Sequence, residues 1–368
     1  MDLAFLNPLF TRPGPYASVY VDTSRHSEST ADERSLEAFA AYRSLASQGA
    51  DEPTCHAVHA AMEELRHSSE PNGRALFAAG GDVVLDPPLT SPPSGTRVHF
   101  GVLPHVAPLL ELADDSPVCL VAYVDRRGAD FELHGGHGTH AAGGATGRRQ
   151  WPVHRTATAD WSERHFQNKV ENAWEHTAQD IAAALAACQE ETRAGLVVLV
   201  GDPRERRAVH DRLPEQVRAR TVESQRGSRA TGGTGRLLDE EVERLRAEHA
   251  RQWADDELES FTAALDKDGG AAAEGVPALV EAAREHRIAE LLMRPAGPDA
   301  HRTVWVGDEP DQLSVRRSDS RYLGAPNPEA ARADDALLRS ASATGAEAVA
   351  VHSRSTPHGG LGALLRWS

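Results

Sequence analysis

The chain is 368 residues long and 40% of its residues are hydrophobic, which is adequate for globular packing. This length exceeds what one core usually supports, so two or three domains are expected. The formal net charge of −16 argues against nucleic acid as a general partner, and the lack of an apolar run of about eighteen residues excludes a membrane-spanning helix.

The charge is distributed unevenly along the chain. Residues 1–116 carry 7 basic and 16 acidic residues, and residues 230–368 carry 16 and 24, for net charges of −9 and −8. Residues 117–229 carry 16 basic and 15 acidic residues, a net charge of +1. An acidic body with one basic region can still contact phosphate locally, although a general preference for arginine over lysine would give the same counts.

The three cysteines, Cys55, Cys119 and Cys188, lie far apart and in none of the spacings of a metal site. Cys119 falls in a predicted strand and the others in predicted helices, so small buried side chains are the better interpretation. Such cysteines fit a reducing compartment. No basic region followed by an apolar core occurs at the N-terminus, so a secretory signal is not expected and a cytoplasmic location is predicted.

The first third of the chain predicts an α/β domain over residues 1–116. Alternating apolar residues at 15–22 predict a strand, and two helical stretches follow it. Gly80 and Gly81 then predict a hairpin between two short strands. A strand at residues 97–100 and a helix at residues 106–112 complete this part.

Residues 117–229 are predicted to form a central domain with one long exposed loop. Strands are predicted at residues 118–124 and 129–133. Hydrophobic periodicity then stops until Trp161, which gives a loop over residues 134–160. Compact domains rarely hold a loop of that length without a functional reason or disorder.

After the loop, a strong 3.6-residue pattern predicts a long amphipathic helix over residues 161–188, and an apolar strand follows at 195–200. Gly201 ends that strand before a second helix, an arrangement that can hold phosphate. Only one glycine is present, so an ordinary turn explains the sequence better. Asp202 is the expected N-cap and Pro203 the first helical residue.

Residues 230–368 are predicted to form a third α/β domain, because helices and strands alternate along it. The domain starts with a long, highly charged helix at residues 237–265. The other expected elements are helices at 276–292 and 330–344 and strands at 291–293, 303–306 and 348–351.

Two catalytic interpretations of the loop at residues 134–160 are weak. His134, His137 and His140 recur at every third residue, but glycines separate them and no carboxylate or cysteine lies nearby, so neither a metal nor a cofactor is expected. A hydrolase needs a nucleophile beside a general base, and the loop offers only residues that are adjacent in sequence. No catalytic residue is assigned.

RNA contact is the favoured interpretation of the same loop, because guanidinium charge is interleaved with aromatic faces. A solvated loop without a partner is the alternative. The candidate RNA-binding residues are His137, His140, Arg148, Arg149, Trp151, His154, Arg155 and Trp161. A second arginine cluster comprises Arg204, Arg206, Arg207, Arg212, Arg218, Arg220, Arg226 and Arg229.

Several short motifs, in this order and spacing, resemble the archaeal and eukaryotic class-I peptide release factors and pelota. In the central region they are the strand pair ending at residues 125–133, the helix start Ser162-Glu-Arg-His-Phe166 and the strand end at residues 195–203. The ending Gly359-Gly-Leu-Gly-Ala-Leu-Leu-Arg-Trp367 is similar to that of the superfamily's C-terminal domain. The resemblance covers nearly the whole chain. It is nearest to the bacterial branch with the mycobacterial release-factor-like proteins and the ribosome hibernation factor Balon, and it implies three α/β domains in that order.

One departure from the family pattern bears on mechanism. Release factors carry Gly-Gly-Gln just before the equivalent helix start, and the glutamine takes part in peptide release. The matching positions here are Ala159, Asp160 and Trp161, and the earlier Gly135-Gly136-His137 and Gly143-Gly144-Ala145 also lack a glutamine. Peptide release by the family mechanism is therefore not expected, and no stop-codon motif of the family occurs in the first third.

The resemblance implies a protein that fills the ribosomal A site. A non-enzymatic hibernation or stress factor is the main hypothesis, with the 70S ribosome and its rRNA as partners and EF-Tu as a partner of the C-terminal domain. A rescue factor that hydrolyses peptidyl-tRNA and an adaptor with a degenerate release-factor fold are the alternatives.

Overall fold

The chain divides into two compact units in the computed structural model. The first unit combines residues Met1–Asp115 with Trp253–Ser368, and the second is Ser116–Gln252. The structure describes residues 1, 3–24, 30–68, 72–113, 116–135, 138–146, 161–227, 236–267, 270–353 and 356–367, without the side chains of 30, 138, 146 and 161–173.

In the first unit, residues 1–115 supply an antiparallel sheet and the helices around it. Their elements are α1 (Asn7–Phe10), β1 (Tyr16–Asp22), α2 (Thr30–Ser47), α3 (Glu52–Glu64), β2 (Gly73–Ala79), β3 (Asp82–Leu85), β4 (Arg97–Gly101) and α4 (Leu109–Leu112). The strand order is β3-β2-β1-β4. The predicted first strand and the hairpin at Gly80 and Gly81 are confirmed. The helix expected at residues 106–112 is shorter, because α4 covers only its last four residues.

In the second unit, a five-stranded sheet carries a helix on each face. Its elements are β5 (Cys119–Asp125), β6 (Gly128–Gly135), β7 (Gly138–Thr146), α5 (Trp161–Thr192), β8 (Leu196–Gly201), α6 (Pro203–His210), α7 (Glu215–Arg218), β9 (Thr221–Glu223) and the first part of α8 (Arg236–Leu265). The strand order is β7-β6-β5-β8-β9. Strands β5, β8 and β9 are parallel, whereas β6 and β7 run antiparallel to their neighbours.

The remaining elements belong to the first unit and form two further sheets. They are β10 (Ala272–Glu274), α9 (Val276–Arg284), β11 (Ile288–Met293), β12 (Thr303–Val306), β13 (Leu313–Ser314), α10 (Arg317–Ser320), β14 (Glu329–Arg332), α11 (Ala333–Ala343), β15 (Glu347–Ala350) and β16 (Leu361–Leu365). The strand orders are β10-β16-β11-β15 and β13-β12-β14. The prediction of an α/β fold is confirmed.

The alternation of side chains along β5 explains why the central sheet is covered on both faces. Leu120 and Ala122 pack with the apolar stripe of α5, whereas Val121 and Tyr123 pack with α8. Arg246 of α8 is 2% exposed, and its Nε donates a 3.1 Å hydrogen bond to the carbonyl of Pro117 at the start of β5. The α8 segment therefore belongs to the central sheet as far as Gln252.

One apolar core joins the two parts of the first unit. Leu6, Tyr20 and Phe77 from the first third are buried in the same cluster as Leu337 and Leu361 from the last third. Burial of each such side chain stabilises the fold by about 2 kcal/mol. Residues 1–115 and 253–368 are thus one folded body. The division into domains at 116/117 and 229/230 stays a prediction.

The predicted loop at residues 134–160 is wrong in its first half. Strand β6 continues to Gly135, and residues 138–146 form β7, which pairs with β6 from Gly135↔Gly138 to Gly128↔Thr146. Glycine, alanine and threonine dominate β7, and their small side chains give no hydrophobic alternation to detect. Strand β7 forms because its backbone pairs with β6, although its side chains carry no strand pattern.

Two predicted helices are also shorter than expected. Helix α9 ends at Arg284 and not at 292, because His286 adopts a left-handed φ of 56° and β11 begins at Ile288. Residues 330–332 belong to β14, which pairs with β12, so α11 begins only at Ala333. Among the residues with assigned structure, no helix combines the length and the hydropathy needed to cross a membrane.

A buried carboxylate links the two sequence segments of the first unit. Asp335 is 2% exposed and accepts hydrogen bonds from the backbone N–H groups of Val106 at 3.0 Å and Ala107 at 3.3 Å. Its Oδ2 lies 2.9 Å from His105 Nδ1 and 3.5 Å from Arg332 Nε. A buried charge is tolerated only with such partners, and removing it leaves the donors unsatisfied.

We expect Asp335→Asn to lower the free energy of unfolding by about 2–4 kcal/mol, because the neutral amide cannot replace the charge at four donors. Urea unfolding measures the change. Asp319→Asn removes an exposed carboxylate from the same unit and is expected to change stability by less than about 0.5 kcal/mol. Equal effects of the two substitutions would contradict the linking role of Asp335.

A half-buried carboxyl group in the first unit, that of Glu290, differs from Asp335 because its neutral form is favoured. Glu290 on β11 is hydrogen-bonded to the carboxyl group of Glu257 and lies near Glu347. Burial, reinforced by Glu257, raises the pKa of Glu290 from 4.5 to about 8. The folded protein therefore holds this proton at neutral pH, whereas the unfolded chain releases it near pH 4.5.

We expect Glu290→Gln to be progressively more stable than the wild type as pH rises from about 5 to 8. The folded state binds more protons than the unfolded state in this window, so wild-type stability falls with rising pH, and glutamine removes that loss. Allowing for solvent screening, the difference reaches about 1–2 kcal/mol. Denaturant unfolding at several pH values measures it. The exposed Glu259→Gln is the control, and parallel pH profiles for all three proteins would refute the expectation.

Candidate functional site at the edge of the central sheet

The β6–β7 hairpin and the start of α5 lie on either side of residues 147–160, which contain most of the candidate RNA-binding residues. Strand β7 is the edge of the sheet and ends at Thr146, opposite Gly128. Helix α5 begins at Trp161. Residues 147–160 connect these two elements and lie outside the described residues. The segment therefore follows Thr146 of β7 and ends before Trp161 of α5.

Helix α5 is fixed to the sheet by its second half. Ala178, Ile181 and Leu185 are fully buried against the sheet, and the thiol of Cys188 lies 3.6 Å from the carbonyl oxygen of Ala142 on β7. The helix has 32 residues and is therefore about 48 Å long. Its buried stripe matches the predicted pattern, which confirms this helix.

The register of the hairpin places His134 and His140 on opposite faces of the sheet. His134 pairs with Thr139 and lies on the side of Val121 and Tyr123, whereas His140 pairs with Leu133 on the α5 side. Directly paired residues project to the same face, and consecutive residues to opposite faces. These two histidines therefore cannot bind one metal ion together.

A polar group on the α8 face includes the buried His134. The hydroxyl of Tyr123 donates a 2.9 Å hydrogen bond to Glu132 Oε2, and the same oxygen lies 3.6 Å from His134 Nε2. Burial raises the pKa of Tyr123, and the bond to Glu132 raises it further. Burial likewise raises the pKa of Cys119 to about 12, so this thiol is not a nucleophile. The group supports the hairpin and offers no activated residue.

The candidate RNA-binding residues fall into two sets. His140 is exposed on β7, and Trp161 is the first residue of α5, although its side chain lies outside the described part. The other six also lie outside it: His137, Arg148, Arg149, Trp151, His154 and Arg155. Their role in RNA binding remains a prediction.

The second arginine cluster is more neutralised than its sequence suggests. Arg206 is 5% exposed and lies 3.7 Å from Glu223. Arg207 and Arg226 pair with Asp211 and Glu241 at 3.2 and 3.5 Å. Arg204, Arg218 and Arg220 are exposed, and Arg229 is not described. These ion pairs reduce the positive field of the cluster at Arg206, Arg207 and Arg226.

The turn after β8 has the predicted structural role. Asp202 is the N-cap of α6, and its Oδ1 accepts a 2.9 Å hydrogen bond from the backbone N–H of Arg204, with Pro203 in the first turn. Gly201 adopts a φ of 145°, and a Cβ there would lie 2.3 Å from the carbonyl oxygen of Val124. The glycine is therefore required by the close approach of β5.

In the first unit, one cluster in the described ranges has the composition of a metal site. The ligand atoms of His105, Asp334 and Asp335 lie within 4.8 Å of one another. Arg332 already pairs with both carboxylates, with its Nε 3.0 Å from Asp334 Oδ1. A guanidinium in that position opposes a second cation, so the cluster fits a structural ion pair better than a metal.

The central unit matches a known family. Residues 118–267 match the family described as bacterial archaeo-eukaryotic release factor family 2. The matched stretch contains the five-stranded sheet, α5 and α8. Residues 118–267 are therefore similar to this family, and the chain is a bacterial release-factor-like protein.

Two curated relatives extend the similarity beyond this stretch. The chain is 29% identical over 365 residues to the protein named Uncharacterized protein Rv2629 of Mycobacterium tuberculosis, covering 98% of this chain and 95% of the relative. Uncharacterized protein MT2704, from another strain of that organism, gives the same identity and coverage.

Solved structures with similar folds include translation factors. The archaeal translation termination factor aRF1 is 16% identical with a TM-score of 0.25, covering 99% of this chain and 97% of its own. Archaeoglobus fulgidus Pelota is 13% identical with a TM-score of 0.35, and the match covers 100% of this chain and 92% of the Pelota chain. A model of ribosome-bound archaeal Pelota and ABCE1 is 13% identical with a TM-score of 0.42, and the match covers 99% of this chain and 94% of that one. These TM-scores are too low to establish a common arrangement of the whole chain.

We expect Gly144→Ala to loosen the edge strand that leads into residues 147–160. A Cβ at this position would lie 2.5 Å from the carbonyl oxygen of Ala129 on β6, so the strands must move apart. The expected loss is about 1–3 kcal/mol in the free energy of unfolding. Hydrogen exchange of the β7 amides and denaturant unfolding both report it.

Gly135→Ala is the matched control for that substitution. It adds the same methyl group to the same hairpin, but the nearest atom, Cγ2 of Val118, is 3.9 Å away. We expect a change below about 0.5 kcal/mol and unaltered exchange in β7. Similar effects at both glycines would show that the close approach of β6 and β7 is not limiting.

Proposed function

We propose that this protein is a ribosome-binding translation factor that occupies the A site in hibernation or stress and does not release the peptide. The match of residues 118–267 to the bacterial archaeo-eukaryotic release factors supports a role on the ribosome. The sequence before α5 supports the absence of release chemistry, because Ala159, Asp160 and Trp161 replace the expected Gly-Gly-Gln.

The pairing of β7 is the observation that carries this proposal. Gly143 and Gly144 are the one complete Gly-Gly pair in the described part of the loop predicted at residues 134–160, and they pair with Phe131 and Asp130 inside the sheet. Gly135 ends β6. Backbone committed to a sheet cannot also form an exposed catalytic tip, so Gly143-Gly144 is not a displaced copy of the release motif.

Residues 147–160 supply the chemistry expected of an RNA contact. Arg148, Arg149 and Arg155 bring guanidinium groups that pair with phosphate, and Trp151 offers a face on which a base can stack. The segment starts and ends at fixed points, Thr146 of β7 and Trp161 of α5. A basic segment on an acidic chain favours local contact with rRNA, with affinity that falls as salt rises.

By resemblance to the family, the last third of the chain would contact a translational GTPase such as EF-Tu, and the protein would act in the cytoplasm on 70S ribosomes. No enzymatic step belongs to this proposal. A ribosome rescue factor that hydrolyses peptidyl-tRNA is the competing function, since the histidines at 137 and 154 lie beside or within the same segment.

We expect the purified protein to co-sediment with bacterial 70S ribosomes, and binding to weaken by at least about tenfold when Arg148, Arg149 and Arg155 are changed to Glu. The salt dependence of the remaining binding is expected to become shallower, because fewer phosphate contacts release counterions. Sedimentation at low and moderate salt measures both quantities.

A control triple with the same charge change is Arg251→Glu, Arg284→Glu and Arg302→Glu, whose side chains are exposed elsewhere. It is expected to bind like the wild type. Absence of co-sedimentation by the wild type would refute the proposal. Hydrolysis of peptidyl-tRNA on stalled ribosomes above background, lost in His137→Ala or His154→Ala, would replace it by the rescue function.

A further inference from the structure

A small cavity in the first unit has five basic side chains in a wall that is otherwise largely apolar. Its volume is about 110 Å³, and it lies where the segment before α4, the end of β11 and the start of α11 meet. That volume accommodates several water molecules, or one group of five heavy atoms. The basic side chains in its wall are Arg97, His105, Arg294, His301 and Arg332.

The acidic groups near the cavity are already engaged. Asp334 is held by Arg332, with Oδ1 3.0 Å from Nε. Asp335 is turned toward the backbone N–H groups of Val106 and Ala107 and toward His105. Burial and the neighbouring Asp335 raise the pKa of Asp334. Glu111, which also lines the cavity, is on the exposed surface.

Two of the basic side chains, Arg97 and His301, have N–H groups that can donate further hydrogen bonds. Arg97 is exposed, and the hydrogen bond recorded for its side chain within the described ranges is a long one of 3.3 Å to Ser94 Oγ. His301 is exposed and has no recorded hydrogen bond in the same ranges. The fixed charges in the wall are three arginines against Glu111 and Asp334, which leaves an excess of one positive charge before either histidine is protonated.

We propose that this cavity binds a phosphate group, with Arg97, Arg294 and His301 as its donors and Arg332 behind them. Planar guanidinium groups present paired N–H donors that match the oxygen atoms of phosphate, and an arginine-lined recess excludes competing cations. The ligand is a free phosphate ion or the phosphate of a small molecule or nucleic acid. The site goes beyond the proposed function, because it lies in the first unit and does not involve residues 147–160.

Titration calorimetry with inorganic phosphate, at constant ionic strength against chloride, tests the site in the full-length protein. We expect one saturable site in the wild type. The double variant Arg97→Gln and His301→Gln is expected to bind at least about tenfold more weakly, since one charged guanidinium donor and one imidazole donor are lost. Both side chains are exposed, so the unfolding midpoint is expected to stay within about 2 °C of the wild type.

Arg302→Gln is the matched control, because Arg302 is exposed next to His301 and lies 3.7 Å from Asp299. It is expected to keep phosphate affinity within about twofold of the wild type, since only a screened surface pair is lost. Lack of saturable phosphate binding by the wild type overturns the proposal. So does an equal loss of affinity in Arg302→Gln and the double variant.

Competition then identifies the source of the phosphate. Displacement of inorganic phosphate by a nucleoside monophosphate, but not by a short single-stranded RNA without terminal phosphates, supports a terminal phosphate group. Displacement by that RNA supports a backbone phosphate. Displacement by acetate at the same concentration as phosphate overturns the proposal, because the site would then hold any small anion. Ribosome binding does not enter these measurements, so their failure leaves the proposed function untouched.

Discussion

The buried carboxylate of Asp335 is the interaction on which the first unit depends. Its partners include the backbone N–H groups of Val106 and Ala107, which precede it by 229 and 228 positions. A charge that is 2% exposed is stable only while such donors stay in place. The first and last thirds of the chain must therefore fold together, and the apolar core that contains Phe77 and Leu361 forms across the same junction.

The central unit is organised differently, around a sheet covered on both faces. The parallel strands β5 and β8 are apolar throughout, because α5 packs on one face and α8 on the other. The β6–β7 hairpin extends this sheet to an edge made of small residues. The covered central strands and this edge strand fix the two ends of residues 147–160, which are Thr146 of β7 and Trp161 of α5.

Sequence reasoning succeeded where large side chains repeat with a clear period. The stripe with Ile181 and Leu185 predicted α5, and Asp202 with Pro203 predicted the start of α6. It failed at β7, where Gly, Ala and Thr carry no periodic signal, and at α9, which a left-handed His286 ends early. Around the candidate site it assigned Trp161 correctly to the helix start. It could not foresee that β7 takes Gly143 and Gly144 into the sheet.

The amino-acid sequence by itself determined the α/β class, the long helix of the central unit and the lack of a Gly-Gly-Gln before that helix. These features depend on local periodicity, capping and residue identity. Tertiary structure alone decided that residues 1–115 and 253–368 share a core, that His134 and His140 face opposite ways, and that five basic residues meet in the wall of one cavity in the first unit. Those facts depend on contacts between residues far apart in the chain, and no local pattern encodes them.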